Sequence, residues 1–101
     1  MLRLLRDQGP TGFELNARVH GYEVDVLWRE AGLALEIDSY AAHSGPVAFE
    51  RDRLKIATLE TRGLTVMPVT PRQVREDPRA VLARVREAFA LATARRRRME
   101  G

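Results

Sequence analysis

Cysteine is absent from this chain of 101 residues. Without thiols the fold has neither disulfides nor a cysteine-based zinc site to hold it together. A chain of this length buries a real but modest core. The sequence therefore predicts a single domain over residues 1–101 that is stabilised by packing rather than by cross-links, and it permits a reducing compartment.

Long apolar runs are also missing. A signal peptide needs an apolar run of roughly 7–15 residues, and a membrane-spanning helix needs about 20. We therefore expect a soluble, cytoplasmic protein with no membrane partner.

Lysine is scarce, because Lys55 is the only one in the chain. Lysine and arginine together number 17 against 14 acidic residues, which gives a formal net charge of +3 and a pI near 10.2. Arginine carries almost all of the positive charge, and its planar head binds phosphate in a bidentate manner. The bias is compatible with a nucleic-acid partner, but a GC-rich genome would produce it equally well.

Two strands, at about 22–28 and 33–38, are predicted on either side of a tight turn, and acids interrupt both at alternating positions. With a turn of two or four residues, Asp25 lies directly opposite Glu36, and Leu27 lies opposite Ala34. Directly opposed residues of an antiparallel pair share one face. A three-residue loop would instead place the two carboxylates on opposite faces.

A third strand, at about 13–19, precedes this pair, and His20-Gly21 is a plausible two-residue hairpin turn. Pairing across that turn places Asn16 opposite Asp25. One face of the three strands then carries Glu14, Asn16, Arg18, Glu23, Asp25, Leu27, Ala34, Glu36 and Asp38. The other face is predicted to be an unbroken core face of Leu15, Ala17, Val19, Tyr22, Val24, Val26, Trp28, Leu33, Leu35 and Ile37.

The acidic face has two interpretations. Polar residues on an alternating strand usually mark the solvated side of a sheet. However, Asp25, Glu36 and Asp38 cluster with no cation opposite them in the strands, and like charges across strands are destabilising. The arrangement needs a compensating cation or a raised pKa, which favours a divalent-metal site.

The remaining pattern completes an α/β order. The last turns of a helix are predicted over Met1–Asp7, a helix over 46–62, and a strand over 64–69 that lies parallel to the third strand. Pro68 cannot donate to a ladder, so that strand is expected at an edge of the sheet. Thr70-Pro71 opens a helical turn, and a last helix follows Asp77-Pro78 with an inward stripe of Ala80, Val81, Val85, Ala88, Phe89 and Ala92.

The helix over 46–62 is predicted to turn Phe49, Ile56 and Leu59 inward, with Asp52 in the middle of that stripe. An acid on a buried face needs a partner. Asp52 is expected either to pair with Arg18 or Arg51 or to support the acidic strand site.

Four motifs in order carry a family resemblance. They are Asn16, Val19, Gly21, Tyr22, Val24, Asp25, Leu27 (an offset hydrophobe) and Trp28; then Glu36, Asp38 and His43; then Phe49, Asp52 and Arg53; then Gly63, Val66 and Thr70. In this order and spacing the chain resembles the PD-(D/E)XK nuclease superfamily, and more closely a bacterial domain family related to the very-short-patch-repair endonuclease. The resemblance implies a restriction-endonuclease-like αβββαβα core with a four-stranded mixed sheet flanked by helices.

The resemblance also implies Mg²⁺- or Mn²⁺-dependent hydrolysis of DNA phosphodiester bonds. Asp25 and Glu36 would hold the metal, and Asp38 and His43 would complete the catalytic set, although His43 is otherwise an ordinary loop histidine. The supporting residues would be Asn16, Asp52, Arg53 and Lys55. Arg95, Arg96, Arg97 and Arg98, in a basic tail over 95–101, would contact DNA or be merely solvated. A homodimer partner or an upstream DNA-binding segment of a longer parent protein would complete the assembly.

Some positions depart from the family pattern. Asp38 stands where the superfamily has a lysine, so Lys55 or Arg53 from the following helix is the expected replacement. Ser39 and Pro68 replace a glycine and an arginine, and the first helix lacks the family's glutamate, which Glu14 would replace only by chance. These departures keep an alternative open, in which the chain is a catalytically inactive nuclease-like domain that binds DNA or a protein.

Overall fold

The computed structural model describes residues 1–37 and 45–100. The elements in chain order are helix α1 (Leu2–Gln8), strands β1 (Glu14–Val19), β2 (Tyr22–Trp28) and β3 (Leu33–Ile37), helix α2 (Pro46–Thr61), strand β4 (Thr65–Val69), and helices α3 (Pro71–Glu76) and α4 (Pro78–Glu100). The predicted order and type of the elements are confirmed. Thr70 caps α3 with a capping box. Its hydroxyl oxygen accepts a hydrogen bond from the Gln73 N–H, and the Gln73 side-chain oxygen accepts one from the Thr70 N–H.

The four strands form one mixed sheet in the order β1-β2-β3-β4. β1 and β2 are antiparallel, as are β2 and β3, and β4 runs parallel to β3. The predicted registers are confirmed, because Arg18 pairs with Glu23 and Leu27 pairs with Ala34. Pro68 lies in an edge strand, where its missing N–H costs no ladder bond. The fold is α/β, a four-stranded mixed sheet flanked by helices.

The β1–β2 hairpin turns at His20-Gly21, as the sequence predicted. Both residues have positive φ, +51° for His20 and +84° for Gly21. Two positive φ angles in succession define a type I′ turn, whose twist matches that of the flanking strands.

Helices cover both faces of the sheet, so the core has two parts. The first lies under α1 and α4 and is centred on Trp28, which is 2% exposed and meets the rings of Phe13 and Phe89 edge to face. Its other buried members are Leu5, Val26, Ala31, Leu33, Leu35, Val69, Val81, Leu82, Val85 and Ala92. The predicted inward stripe of α4 is therefore largely confirmed, except that Ala80 is exposed and Leu82 is buried.

The second part of the core lies on the α2 side. Its buried members are Ala17, Val24, Leu27, Ala34, Leu59 and Leu64. The predicted unbroken core face is therefore wrong in β1 and in the first half of β2, since Ala17 and Val24 pack with Leu27 and Ala34 rather than with Val26. Leu15, assigned to the same face, is 43% exposed. The physical reason is the backbone of Asn16, whose φ of +48° interrupts the extended strand and with it the alternation of side chains.

Phe49 is not a core residue, which contradicts the predicted inward stripe of α2. It is 52% exposed, whereas Leu59 of the same helix is completely buried. Helical periodicity indicates which face turns inward but not how far the sheet extends beneath the helix. Phe49 precedes Leu59 by ten residues, or about 15 Å along the axis, and lies beyond the buried contact.

Within residues 1–37 and 45–100, none of the helices has both the length and the apolar composition that a membrane span requires.

Candidate functional site

The two carboxylates singled out in the sequence meet where β2 and β3 separate. The backbone pairs between these strands end at Val26 and Leu35. Beyond that point the Asp25 N–H donates to Oε1 of Glu36 at 3.2 Å, and the Ile37 N–H donates to Oδ2 of Asp25 at 2.7 Å. Each carboxylate thus accepts a hydrogen bond from the backbone of the opposite strand, and we call the two residues the carboxylate pair.

Helix α2 supplies a cation to this pair. The Nζ atom of Lys55 lies 2.9 Å from Oε2 of Glu36 and donates a second hydrogen bond, of 2.7 Å, to the Glu23 carbonyl oxygen. Lys55 is held there because Leu59, one helical turn later on the same face, is buried against the sheet. The only lysine in the chain therefore lies at the position that the acidic face required.

The solvated-face interpretation does not describe the part of this surface around Asp25 and Glu36, although Glu14, Asn16, Arg18 and Glu23 on the same predicted face are exposed. Leu27 and Ala34, on the strands between the acids, are completely buried. The side chains of Glu36 and Lys55 are only 20% and 22% exposed. The acids therefore lie at the rim of a buried interface, and not on an open face of the sheet.

Burial raises the pKa of Glu36 above its ordinary value, and the nearby charge of Asp25 acts in the same direction. The hydrogen bond and the charge of Lys55 oppose the rise without cancelling it. The like charges of the acidic face require either a cation or a raised pKa, and this site has both.

This raised pKa predicts a pH dependence of stability in the absence of divalent cations. The folded state binds the Glu36 proton more tightly than the unfolded state, so this contribution to stability is complete below the ordinary glutamate pKa and is lost as pH rises through the raised one. Urea unfolding of the wild type and Glu36→Gln across this window should show the variant gaining free energy of unfolding relative to the wild type as pH rises. The assignment would be contradicted if the free energy of unfolding of the variant minus that of the wild type stayed constant or fell as pH rises.

Asn16 lies on β1, at the register position across from Asp25. The pairs on either side of it, Leu15 with Val26 and Ala17 with Val24, place Asn16 opposite Asp25, as predicted. Asn16 and Asp25 themselves do not form a ladder pair. Sequence reasoning found the position of Asn16 but missed its left-handed backbone, which asparagine tolerates better than most residues.

Asp38 and His43, the other two residues of the predicted catalytic set, lie outside the described residues, as does Ser39. Within residues 1–37 and 45–100 no three or more histidine, cysteine or acidic side chains gather closely enough to hold a metal. The described part of the site therefore consists of two carboxylates and one lysine.

Asp52 and Arg53 are exposed, and neither contacts the carboxylate pair. The guanidinium of Arg53 lies over the Phe49 ring, 4.9 Å from its centroid. The expected pairing of Asp52 with Arg18 or Arg51 is wrong for the described part of the chain, where Asp52 forms no ion pair. An exposed carboxylate remains hydrated, so the partner that burial would have demanded is not needed.

Glu14, which could have replaced the missing acid of the first helix, has another partner. Its carboxylate forms two hydrogen bonds with the Arg29 guanidinium, of 3.0 and 3.1 Å. These bonds lower the pKa of Glu14 from its ordinary value. Glu14 is therefore part of a surface ion pair rather than of the carboxylate site.

The four arginines from Arg95 to Arg98 continue helix α4 as far as Glu100, so the predicted basic tail is helical. Arg96 donates to the Arg29 carbonyl oxygen at 3.2 Å and lies against Gly32, and Arg97 lines a cleft of about 730 Å³ with Glu30 and Phe89. Arg95 and Arg98 are exposed. The run thus lies beside the β2–β3 turn on the α4 side of the sheet, whereas the carboxylate pair is joined by α2.

Comparisons with known proteins give two distant relatives and no established activity. No protein-family model and no solved structure matches the chain. The uncharacterized proteins MT2308 and Rv2248, from two strains of Mycobacterium tuberculosis, are each 34% identical to it over 77 residues. The match covers 71% of this chain but 28% of each relative, so the chain spans less than a third of their length.

Proposed function

We propose that this chain is a metal-dependent endonuclease domain that hydrolyses phosphodiester bonds in DNA. The observation that carries the proposal is the carboxylate pair, held between two strands with Lys55 2.9 Å from Glu36. Adjacent, partly buried carboxylates repel each other and lose hydration, so the arrangement costs stability. Titratable groups that a fold maintains at such a cost are typical of functional sites.

The residues present fit Mg²⁺ or Mn²⁺. Both ions prefer carboxylate oxygens, and this site already attracts a cation, because the Lys55 ammonium is bound to Glu36. Asp25 retains Oδ1 without a hydrogen-bond partner among the described residues. Asp25 and Glu36 would hold the ion, which would polarise a phosphate and lower the pKa of a bound water.

Lys55 supplies the positive charge that the superfamily's strand lysine supplies elsewhere, because Asp38 occupies that position in this chain. Its ammonium donates to the Glu23 carbonyl oxygen as well as to Glu36, so two contacts hold it beside the pair. A cation at this point attracts a phosphodiester and neutralises charge that develops during hydrolysis. Asp38 and His43 are proposed to complete the catalytic set.

DNA is the proposed partner, and Arg95, Arg97 and Arg98 are the exposed members of the arginine run that would contact phosphate. Arg96 is occupied by the β2–β3 turn. Because the run lies on the α4 side of the sheet, a second protomer or another segment of a longer parent protein is proposed to help hold the duplex at the carboxylate pair.

The test is nicking of supercoiled plasmid by the purified wild-type protein with Mg²⁺ or Mn²⁺. We expect cleavage with either ion, no cleavage in buffer that contains EDTA and no added divalent cation, and recovery of cleavage when excess Mg²⁺ is added. Cleavage that persists in EDTA would contradict the metal requirement. A folded protein that nicks no plasmid with either ion would contradict the endonuclease.

A catalytically inactive nuclease-like domain that binds DNA or a protein is the second candidate. It is favoured by the Lys55–Glu36 ion pair, which neutralises one of the two carboxylates without a metal, and by the presence of only two carboxylates in the described part of the site. This candidate predicts no cleavage together with metal-independent DNA binding that weakens as salt rises, because phosphate contacts release counterions. Binding that salt does not change would argue against a phosphate-contacting surface.

A further inference from the structure

Asn16 has a backbone conformation that its place in a strand does not predict. Its φ of +48° lies in the left-handed region, although the residues on either side of it pair with β2 as strand residues. Among residues other than glycine, asparagine and aspartate enter this region most readily, while β-branched residues are strongly disfavoured there. The only other such residue in the described part of the chain is His20, in the hairpin turn.

The left-handed residue reorients the β1–β2 ribbon without shifting its register. Leu15 pairs with Val26 before it, and Ala17 pairs with Val24 after it, so no residue is inserted in either strand. Yet Val26 is buried under α1 and α4, whereas Ala17 and Val24 are buried on the α2 side. The ribbon therefore changes the face that it presents at Asn16 and Asp25, where the ladder pair is missing.

Asp25 lies at this change of face, and on its other side the ladder with β3 also ends. In a regular antiparallel ladder the backbone N–H groups of Asp25 and of the β3 residues would donate to backbone carbonyls. Here the Asp25 N–H donates to the Glu36 side chain at 3.2 Å, and the Ile37 N–H of β3 donates to the Asp25 side chain at 2.7 Å. We call these two hydrogen bonds the carboxylate bridge. The change of face at Asn16 and the carboxylate bridge thus meet at Asp25.

We propose that Asn16 is a positioning residue whose left-handed backbone, rather than its amide group, holds Asp25 in the carboxylate bridge. A fully extended residue at this position would continue the alternation of β1 and align Asp25 with a regular ladder. The bridge that fixes both carboxylates would then be lost. The catalytic meaning of this role rests on the proposed endonuclease, but the structural role does not.

Substitutions that separate backbone from side chain test the proposal. Asn16→Gly removes the amide but keeps the left-handed region accessible, Asn16→Val closes that region, and Asn16→Ala disfavours it less severely. The first readout is amide hydrogen exchange at Ile37 and Asp25, whose N–H groups are bonded to the carboxylates. We expect protection close to the wild type in Asn16→Gly and a clear loss in Asn16→Val, with Asn16→Ala between them.

His20→Val is the matched control, because His20 is also left-handed but lies in the turn away from the bridge. It should lower overall stability. The protection of the Ile37 amide, compared with that of amides that exchange only by global unfolding, should match the wild type. If Asn16→Val does not fold, Asn16→Ala provides the same comparison.

The second readout is plasmid nicking, for which displacement of a reacting group by about 1 Å costs on the order of 100-fold. We expect a loss of that order in Asn16→Val and a rate within a few-fold of the wild type in Asn16→Gly. Equal losses in Asn16→Gly and Asn16→Val would assign the role to the amide and overturn the proposal. Wild-type protection of the Ile37 amide in both Asn16→Val and Asn16→Ala would also overturn the proposal. Because exchange needs no enzymatic activity, a failure of the endonuclease proposal alone would leave the predicted exchange pattern intact.

Discussion

Asp25→Asn is expected to lower the rate of Mg²⁺-dependent plasmid nicking by at least about 100-fold. Residues that only orient metal ligands typically cost 10–100-fold when changed, so loss of a ligand charge should cost at least the upper part of that range. This corresponds to about 2.7 kcal/mol of transition-state stabilisation. The side-chain amide oxygen of the substituted residue can still accept the hydrogen bond that the Ile37 N–H donates to Oδ2 in the wild type, so this contact between β2 and β3 should survive.

The same substitution should not lower stability. The charge of Asp25 contributes to the raised pKa of Glu36, and removing it relieves a repulsion between two partly buried groups. We therefore expect the free energy of unfolding of Asp25→Asn, measured by urea denaturation without metal, to equal or exceed that of the wild type. A group that lowers stability while supporting activity is the pattern expected of a functional residue.

Glu60→Gln is a suitable control for the loss of one carboxylate, since Glu60 is exposed on α2, five residues after Lys55 and on a different face of the helix. Its nicking rate and stability should both match the wild type. If Asp25→Asn cleaves plasmid at the wild-type rate, Asp25 is not a metal ligand. A large loss of stability in Asp25→Asn would instead make the carboxylate a structural group and explain any loss of activity by unfolding.

Trp28→Ala is expected to lower the free energy of unfolding by about 3–5 kcal/mol, the usual cost of truncating a buried tryptophan. The indole is 2% exposed, packs against the edges of Phe13 and Phe89, and donates from Nε1 to the Pro10 carbonyl oxygen at 3.0 Å. Its removal would leave both a cavity and an unpaired carbonyl group. For a domain of this size, the midpoint of thermal unfolding should fall by roughly 12 °C or more.

Phe49→Ala provides the contrast, because Phe49 is half exposed and contacts Arg53 at the surface. Its free energy of unfolding should stay within about 0.5 kcal/mol of the wild type, as for most surface substitutions. If Trp28→Ala does not fold, Trp28→Phe, which keeps an aromatic ring but no donor, should show an intermediate loss. Equal costs for Trp28→Ala and Phe49→Ala would contradict the assignment of the core.

Much of the fold follows from local patterns in the sequence. The His20-Gly21 turn predicted the register that places Asn16 opposite Asp25. The alternating pattern, with a turn of two or four residues between β2 and β3, predicted the register that places Asp25 opposite Glu36. Pro68 correctly indicated an edge strand, and the predicted end of the helix at residue 62 lies one residue beyond the observed end of α2 at Thr61. These inferences hold because strand period, turn chemistry and proline geometry act over a few residues.

Other features depend on how far one element extends over another. Phe49 and Leu59 occupy similar positions in the apolar pattern of α2, but the sheet lies under Leu59 only. The arginine run ends a helix as expected, yet Arg96 is used by a turn that is 67 residues away in the chain. Such contacts depend on the relative placement of whole elements, which no local pattern encodes.

The acidic face combines both kinds of information. Its charges alone required a cation or a raised pKa, and Lys55 was one of two residues expected to supply the cation. Only packing chose Lys55 over Arg53, since burial of Leu59 turns Lys55 toward Glu36 and leaves Arg53 against Phe49. The left-handed backbone of Asn16 was likewise not predicted, because asparagine permits this conformation but a strand pattern gives no sign of it.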